Sequence, residues 1–133
     1  MRSQRSKKRA FRSFVAMIAI GVVVSACAST APDDSADAAD AVVGTWGDTA
    51  ATKPHLVFSS DGEVKGSDGC NGISTTFAVD GATAVFDQFV STLKTCMGVD
   101  PWLSKVHSVE VDGDQLLVSN AQGERIGTLQ RTD

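Results

Sequence analysis

The sequence predicts a small, mainly β (α+β) domain: an antiparallel, incompletely closed β-barrel or curved sheet with one short helix. Residues 73–79 alternate between apolar and polar side chains, which is the period of a strand with one buried face. Asp-Gly pairs at 61–62, 80–81 and 112–113 separate short apolar runs, as hairpin turns do. The 92 residues from 42 to 133 are enough for one hydrophobic core.

The first 26 residues predict a secretory signal peptide. Six Lys or Arg residues precede an uncharged apolar stretch at 14–24, and small residues follow it. The apolar stretch is shorter than the about 20 residues that a membrane-spanning helix needs. Val24-Ser25-Ala26-Cys27 resembles the lipobox of bacterial lipoproteins. The resemblance implies that Cys27 is lipidated, carries palmitate-type acyl chains and becomes the first residue of an exported, membrane-anchored protein.

Residues 28–41 predict a flexible tether, so that 27–41 comprises the lipidated cysteine and its linker. The stretch contains no aromatic residue and no apolar side chain larger than alanine. Such a composition buries too little surface to offset chain entropy. The predicted domain therefore begins at residue 42.

The charge of the mature chain argues against nucleic acid as a partner. Six of the twelve basic residues precede Cys27, whereas all sixteen acidic residues follow it. The net charge from residue 27 onward is therefore 6 − 16 = −10, against −4 for the whole chain. A strongly acidic domain repels nucleic acid and anionic lipid headgroups. Attachment to a membrane must then come from the lipid.

The folded part is expected to be a series of hairpins. The predicted strands are 55–58, 63–66, 73–79, 83–86, 108–111, 115–118 and 125–131. The Asp-Gly pairs connect three of the hairpins, and the turn at 120–123 leads into the last strand. Ile126 and Leu129 have opposite parity in that strand, so we expect a bulge at Gly127.

One segment predicts a short helix. Asp100 suits the N-cap and Pro101 the first helical position. Trp102, Leu103 and Val106 follow at helical spacing. Two turns are unstable alone, so we expect this helix to lean on the sheet and cover one opening of the barrel.

Four short motifs occur in order along the folded part: Gly44-Thr45-Trp46, Phe58 with Asp61-Gly62, Gly69-Cys70-Asn71-Gly72, and Ser91-Thr92 with Cys96. The Gly-Cys-Asn core is the most specific of them. This ordered set resembles the META domain family, which includes HslJ-type heat-shock proteins. The resemblance implies an antiparallel β domain with a helix, often exported and lipid-anchored, with no established catalytic activity.

Cys70 and Cys96 are candidates for a disulfide, a metal pair or a redox pair. Metal binding needs more ligands at suitable spacing, and His55 and His107 are isolated in the sequence. A redox pair usually has a CxxC motif or a positively charged setting. Export favours a structural disulfide, so we predict a bond between the two cysteines, with no metal and no cofactor.

Two classes of function follow from the sequence. We expect a non-catalytic binding or structural module of the cell envelope with a link to envelope stress. Its partner would be an envelope protein, a peptide or a small apolar ligand. The alternative is a cell-surface hydrolase or an enzyme inhibitor. We expect no catalytic residues. The predicted contact surface comprises Trp102, Leu103, Ser104, Lys105 and Val106. An exposed apolar groove beside the helix would favour binding, whereas two carboxylates converging in a cleft would favour hydrolysis.

Overall fold

The computed structural model describes residues 34–89 and 91–133. Its elements are one α-helix, α1, eight strands, β1–β8, and a 3-10 turn between β5 and β6. Their bounds are α1 Asp34–Val42, β1 Gly44–Gly47, β2 Pro54–Phe58, β3 Glu63–Asp68, β4 Gly72–Asp80, β5 Thr83–Phe86, the 3-10 turn Trp102–Lys105, β6 Ser108–Asp112, β7 Gln115–Ser119 and β8 Arg125–Gln130. The predicted signal peptide, Cys27 and the first part of the predicted tether lie outside the described residues.

The eight strands form one antiparallel meander in the order β1 to β8. The two end strands meet through a bridge between Trp46 and Arg131, and Thr132 N donates to Thr45 O at 3.0 Å. The sheet thus curls into a nearly closed barrel. The predicted fold class is confirmed.

The hairpin predictions are also confirmed. The β2–β3 turn contains Gly62 at φ 91°, a backbone conformation that glycine adopts without strain. Asp80 pairs with Thr83 across a two-residue turn, and Asp112 pairs with Gln115 in the same way. Each Asp-Gly pair lies at a strand-to-strand connection, where the sequence predicted it.

The core fills the barrel and centres on large side chains from the early strands. Trp46 and Leu56 are fully buried and Phe58 nearly so. The Phe58 ring packs edge-to-face against Phe77 and Phe86, with centroids 5.4 and 5.7 Å away. Edge-to-face pairs of this kind add to the stabilisation that burial provides.

Helix α1 replaces part of the predicted tether. Four of its nine residues are alanine, the best helix former, and the helix contacts β4, β5 and β6. Val42 at its end is buried. The prediction of a flexible linker is therefore wrong for 34–41, because small apolar side chains suffice for a helix that lies on a sheet. No helix in 34–89 or 91–133 has the length and apolar character to cross a membrane.

The predicted helix near Trp102 is shorter and tighter than expected. It is a 3-10 turn of four residues, and its N-terminal flank is Pro101, with no side-chain capping bond from Asp100. Val106 is already extended, at φ −60° and ψ 134°, because β6 begins at Ser108. The turn contacts β3 and β8 and buries Leu103 completely, as its expected role of covering the barrel requires.

The predicted irregularity of β8 lies one residue away from Gly127. Ser119 pairs with Arg125 and Val118 with Gly127, so Ile126 is the extra residue. Gly127 has another role: a Cβ there would lie 2.5 Å from Cζ3 of Trp102. The absence of a side chain lets the indole pack directly on the strand.

Candidate functional site

The candidate site lies at the end of the barrel where β3 connects to β4 and β5 connects to β6. The β5–β6 connection is long and carries the 3-10 turn. In a meander every second connection lies at the same end of the barrel. Helix α1 contacts the β4–β5 side near Gly81, so it lies at the end opposite the candidate site. The candidate site is therefore built by loops rather than by strands.

A disulfide fixes the long loop to the β3–β4 connection. Cys70 and Cys96 are bonded, with their Cα atoms 5.8 Å apart and a sequence separation of 26. The predicted disulfide is confirmed. It joins the two loops that form the walls of the site.

Asn71 holds the same loop by hydrogen bonds. Its Oδ1 accepts from Lys94 N at 2.7 Å and from Thr92 Oγ1 at 3.0 Å, and its Nδ2 donates to Lys94 O at 3.2 Å. Asn71 is itself buried. The Asn71 amide thus pairs with both the backbone N–H and the backbone C=O of Lys94, as a neighbouring strand would. These bonds fix the loop in place although it has no regular secondary structure.

Asp68, the last residue of β3, is fully buried beside Asn71. Its Oδ1 accepts from Cys70 N at 2.8 Å and from Asn71 N at 2.5 Å. These bonds shape the Gly-Cys-Asn turn. Its Oδ2 is buried and has no hydrogen-bond partner among residues 34–89 and 91–133, although buried polar atoms are nearly always paired.

Two adjoining cavities form a groove beside the 3-10 turn. The first, the Asp68 cavity, has a volume of about 340 Å³. Its wall comprises Asp68, Asn71, Ser91, Leu93, Lys94, Thr95, Pro101 and Ser104. The second, the Phe89 cavity, has a volume of about 890 Å³ and an apolar side formed by Phe86, Phe89 and Val106. Ser91, Leu93 and Ser104 line both cavities, so the two lie side by side.

The structure separates the members of the predicted contact surface. Ser104 lies in the walls of the groove, and Val106 lies on its apolar side but is 5% exposed. Trp102 and Lys105 line a neighbouring depression, which Ser104 also borders. Leu103 is fully buried and cannot contact a partner. The predicted surface is therefore wrong for Leu103, which fills the core; for its other members it stays a prediction.

The groove contains residue types that occur in hydrolytic active sites. Asp87, Ser104 and His107 all line the Phe89 cavity. Asp87 Oδ2 accepts a hydrogen bond from Thr76 Oγ1 at 2.5 Å, and no hydrogen bond between described residues joins Asp87, Ser104 and His107. A nucleophile needs a base in direct contact. In the part of the chain that the structure describes, no three potential ligands are grouped to hold a metal.

Sequence reasoning missed Asp68 as a site residue. One signal was present: Asp68 has the same parity as Val64 in β3, and both are buried. Alternation alone therefore places the carboxylate inside. The missing partner of Oδ2 depends on the surrounding loops and has no signature in the local sequence.

Comparison with known proteins gives one match. A family model described as META domain matches residues 38–133, which includes the last part of α1 and all of β1–β8. No curated protein matches the chain, and no solved structure matches it.

Proposed function

Because this chain belongs to the META domain family, we propose that it is an exported, lipid-anchored cell-envelope protein whose META domain binds a partner without catalysing a reaction. The groove beside the 3-10 turn is the observation that carries the proposal. Its walls are held by the Cys70–Cys96 bond and by Asn71. A preformed concave surface loses little conformational entropy on binding, which suits a binding module.

The chemistry of the groove supports binding more than hydrolysis. Its apolar side offers Phe89, and its rim carries Leu93, which is 98% exposed. Covering a large apolar side chain that is exposed to water lowers the free energy of the complex. Asp87 Oδ2 accepts a hydrogen bond from Thr76 Oγ1, and no hydrogen bond between described residues joins Asp87 to His107.

The sequence before the domain supports export and anchoring. A basic region, an apolar stretch and Val-Ser-Ala-Cys27 form the pattern of a lipoprotein signal. The Cys70–Cys96 bond suits an oxidising compartment. Two or more acyl chains on Cys27 would anchor the domain stably. The family also includes HslJ-type heat-shock proteins, so we extend the proposal to a role in envelope stress.

Lipidation is tested by intact mass. The protein extracted from membranes should exceed the mass of the 27–133 polypeptide by the mass of its acyl groups. Cys27→Ser should abolish the increment and release the domain from the membrane fraction. A soluble wild-type protein processed at another residue would refute the anchor.

Binding at the groove is tested by site-specific photocrosslinking in intact cells. A crosslinker at Ser104, in the groove, should capture a defined partner. The same crosslinker at Asp80, which is exposed at the opposite end of β4, should not. Equal capture from both positions would contradict a partner-binding groove. Turnover of a peptide, ester or glycan by the purified domain, lost in Asp87→Asn, would contradict the absence of catalysis.

A further inference from the structure

We propose that Asp68 binds the guanidinium group of an arginine side chain that a partner protein inserts into the Asp68 cavity. The inference rests on the proposed binding function and names the chemistry of the partner. It starts from the carboxylate oxygen Oδ2, which is buried and has no hydrogen-bond partner in the part of the chain that the structure describes. A buried carboxylate with one unpaired oxygen is strongly destabilising. A cationic hydrogen-bond donor removes that penalty.

The position of Asp68 makes a ligand possible. Asp68 borders a cavity of about 340 Å³, but it has no exposed surface in this structure. A guanidinium group therefore reaches Oδ2 only when side chains of the cavity wall move, as interface side chains commonly do on binding. The cavity is much larger than the roughly 30 Å³ that one water molecule occupies in the liquid. The cavity can therefore hold a side chain as well as water.

The rest of the wall suits arginine. Ser91, Thr95 and Ser104 also line the cavity, and the hydroxyl oxygen of each can accept a hydrogen bond. Guanidinium has five N–H donors in one plane and is more weakly hydrated than ammonium. Several acceptors around one charge therefore favour arginine over lysine.

No internal cation pairs with Asp68 among the described residues. The two ion pairs found there are Lys65–Glu63 and Arg131–Asp133. Lys94 is part of the cavity wall, but its backbone binds Asn71 and its side chain forms neither of these ion pairs. The net charge of −10 after residue 27 further favours the approach of a basic partner.

The apolar surroundings indicate a protein segment rather than a free cation. Leu93 borders the cavity, and Met97 lies next to the disulfide; both are 98% exposed. Asn71 and the Cys70–Cys96 bond hold the backbone next to these two residues. A chain with apolar residues beside its arginine would cover Leu93 while the arginine enters the cavity.

The test uses three tripeptide amides titrated against the soluble 27–133 domain by NMR. They are acetyl-Leu-Arg-Leu-amide, the same peptide with citrulline, and the same peptide with lysine. Citrulline keeps the shape of arginine without its charge. We expect the arginine peptide to bind at least tenfold more tightly than the citrulline peptide, with the lysine peptide in between. Shifts should be largest at Asn71, Leu93 and Ser104. No saturation by the arginine peptide up to about 10 mM, or equal binding of arginine and citrulline, overturns the proposal.

Asp68→Asn is the decisive variant. Its amide oxygen can still accept from Cys70 N and Asn71 N, so the turn is retained while the charge is lost. It should weaken the arginine peptide at least tenfold and leave the citrulline peptide unchanged. Asp80→Asn, with the same charge change at the opposite end of β4, should have no effect. If Asp68→Asn does not fold, Ser104→Phe fills the cavity without altering the carboxylate and should abolish binding. Unchanged arginine binding in either folded variant overturns the proposal.

Two further outcomes separate this inference from the proposed function. Free arginine amide should bind more weakly than the tripeptide, and equal affinity would mean that the ligand is a small cation. In cells, Asp68→Asn should reduce the capture of the partner from Ser104. Undiminished capture would refute the proposed arginine interaction but leave the binding function in place. No capture by the wild-type protein would refute the binding function itself.

Discussion

Removal of the Cys70–Cys96 bond should destabilise the domain strongly while leaving the groove in shape. The bond closes a loop with a sequence separation of 26. In the chain-entropy model such a loop contributes about 3.5 kcal/mol at 25 °C. Small domains have total stabilities of roughly 5–15 kcal/mol, so the loss is a large fraction of the total.

The assay is urea unfolding of the wild-type 27–133 domain and of Cys70→Ala/Cys96→Ala, followed by tryptophan fluorescence. The midpoint should fall by an amount equivalent to about 3.5 kcal/mol, and the thermal midpoint should fall by roughly 4–8 °C per kcal/mol. A reductant should destabilise the wild-type protein similarly and leave the double variant unchanged. A loss below about 1 kcal/mol would refute the entropic reasoning.

The folded double variant should retain the loop near its native position. Asn71 still bonds Lys94 N, Lys94 O and Thr92 Oγ1, and these three bonds do not depend on the disulfide. Amide shifts of 92–94 should therefore change little. Large shifts of these amides, or loss of peptide binding at pH 7 without urea, would show that the disulfide positions the groove as well.

Two further substitutions test the packing of the barrel. Gly127→Ala should lower the free energy of unfolding by about 1–3 kcal/mol and shift the tryptophan emission, because the new Cβ would lie 2.5 Å from the Trp102 ring. The control is Gly72→Ala, whose Cβ would have no atom within 4 Å. Equal losses of stability in the two variants would refute the contact. Trp46→Phe should cost roughly 1–3 kcal/mol in urea unfolding, because Nε1 donates to Val42 O at 2.8 Å in a buried site; a loss under about 0.5 kcal/mol would contradict this.

The strands could be predicted because their signals are local. Alternation in 73–79 fixes which side chains face the core, and the Asp-Gly pairs fix where the chain reverses. The disulfide was predicted from the expected export and the number of cysteines. All these inferences require only neighbouring residues or a count.

The remaining features depend on contacts between distant segments. Helix α1 is stabilised by the sheet surface beneath it. The alanine-rich segment alone does not indicate that such a surface will be present. The loop around Leu93 has no periodicity, and its course is set by Asn71 and Cys96. The surroundings of Asp68 Oδ2 form only when the β3–β4 and β5–β6 connections meet. Sequence reasoning therefore located the region of the candidate site but not its most unusual group.

Residues 131–133 close the seam between β1 and β8. The other neighbouring pairs of strands are joined by ladders of backbone hydrogen bonds, whereas the seam has one isolated bridge and the contacts of these three residues. Arg131 spans it, with its guanidinium 4.0 Å from the Trp46 ring centroid and Nη2 donating to Ala41 O at 2.6 Å. Asp133 Oδ2 accepts from Thr45 N at 2.7 Å. Local opening should begin at this point. It would expose two complementary strand edges, so the contacts of residues 131–133 protect the protein against edge-to-edge association with its own copies.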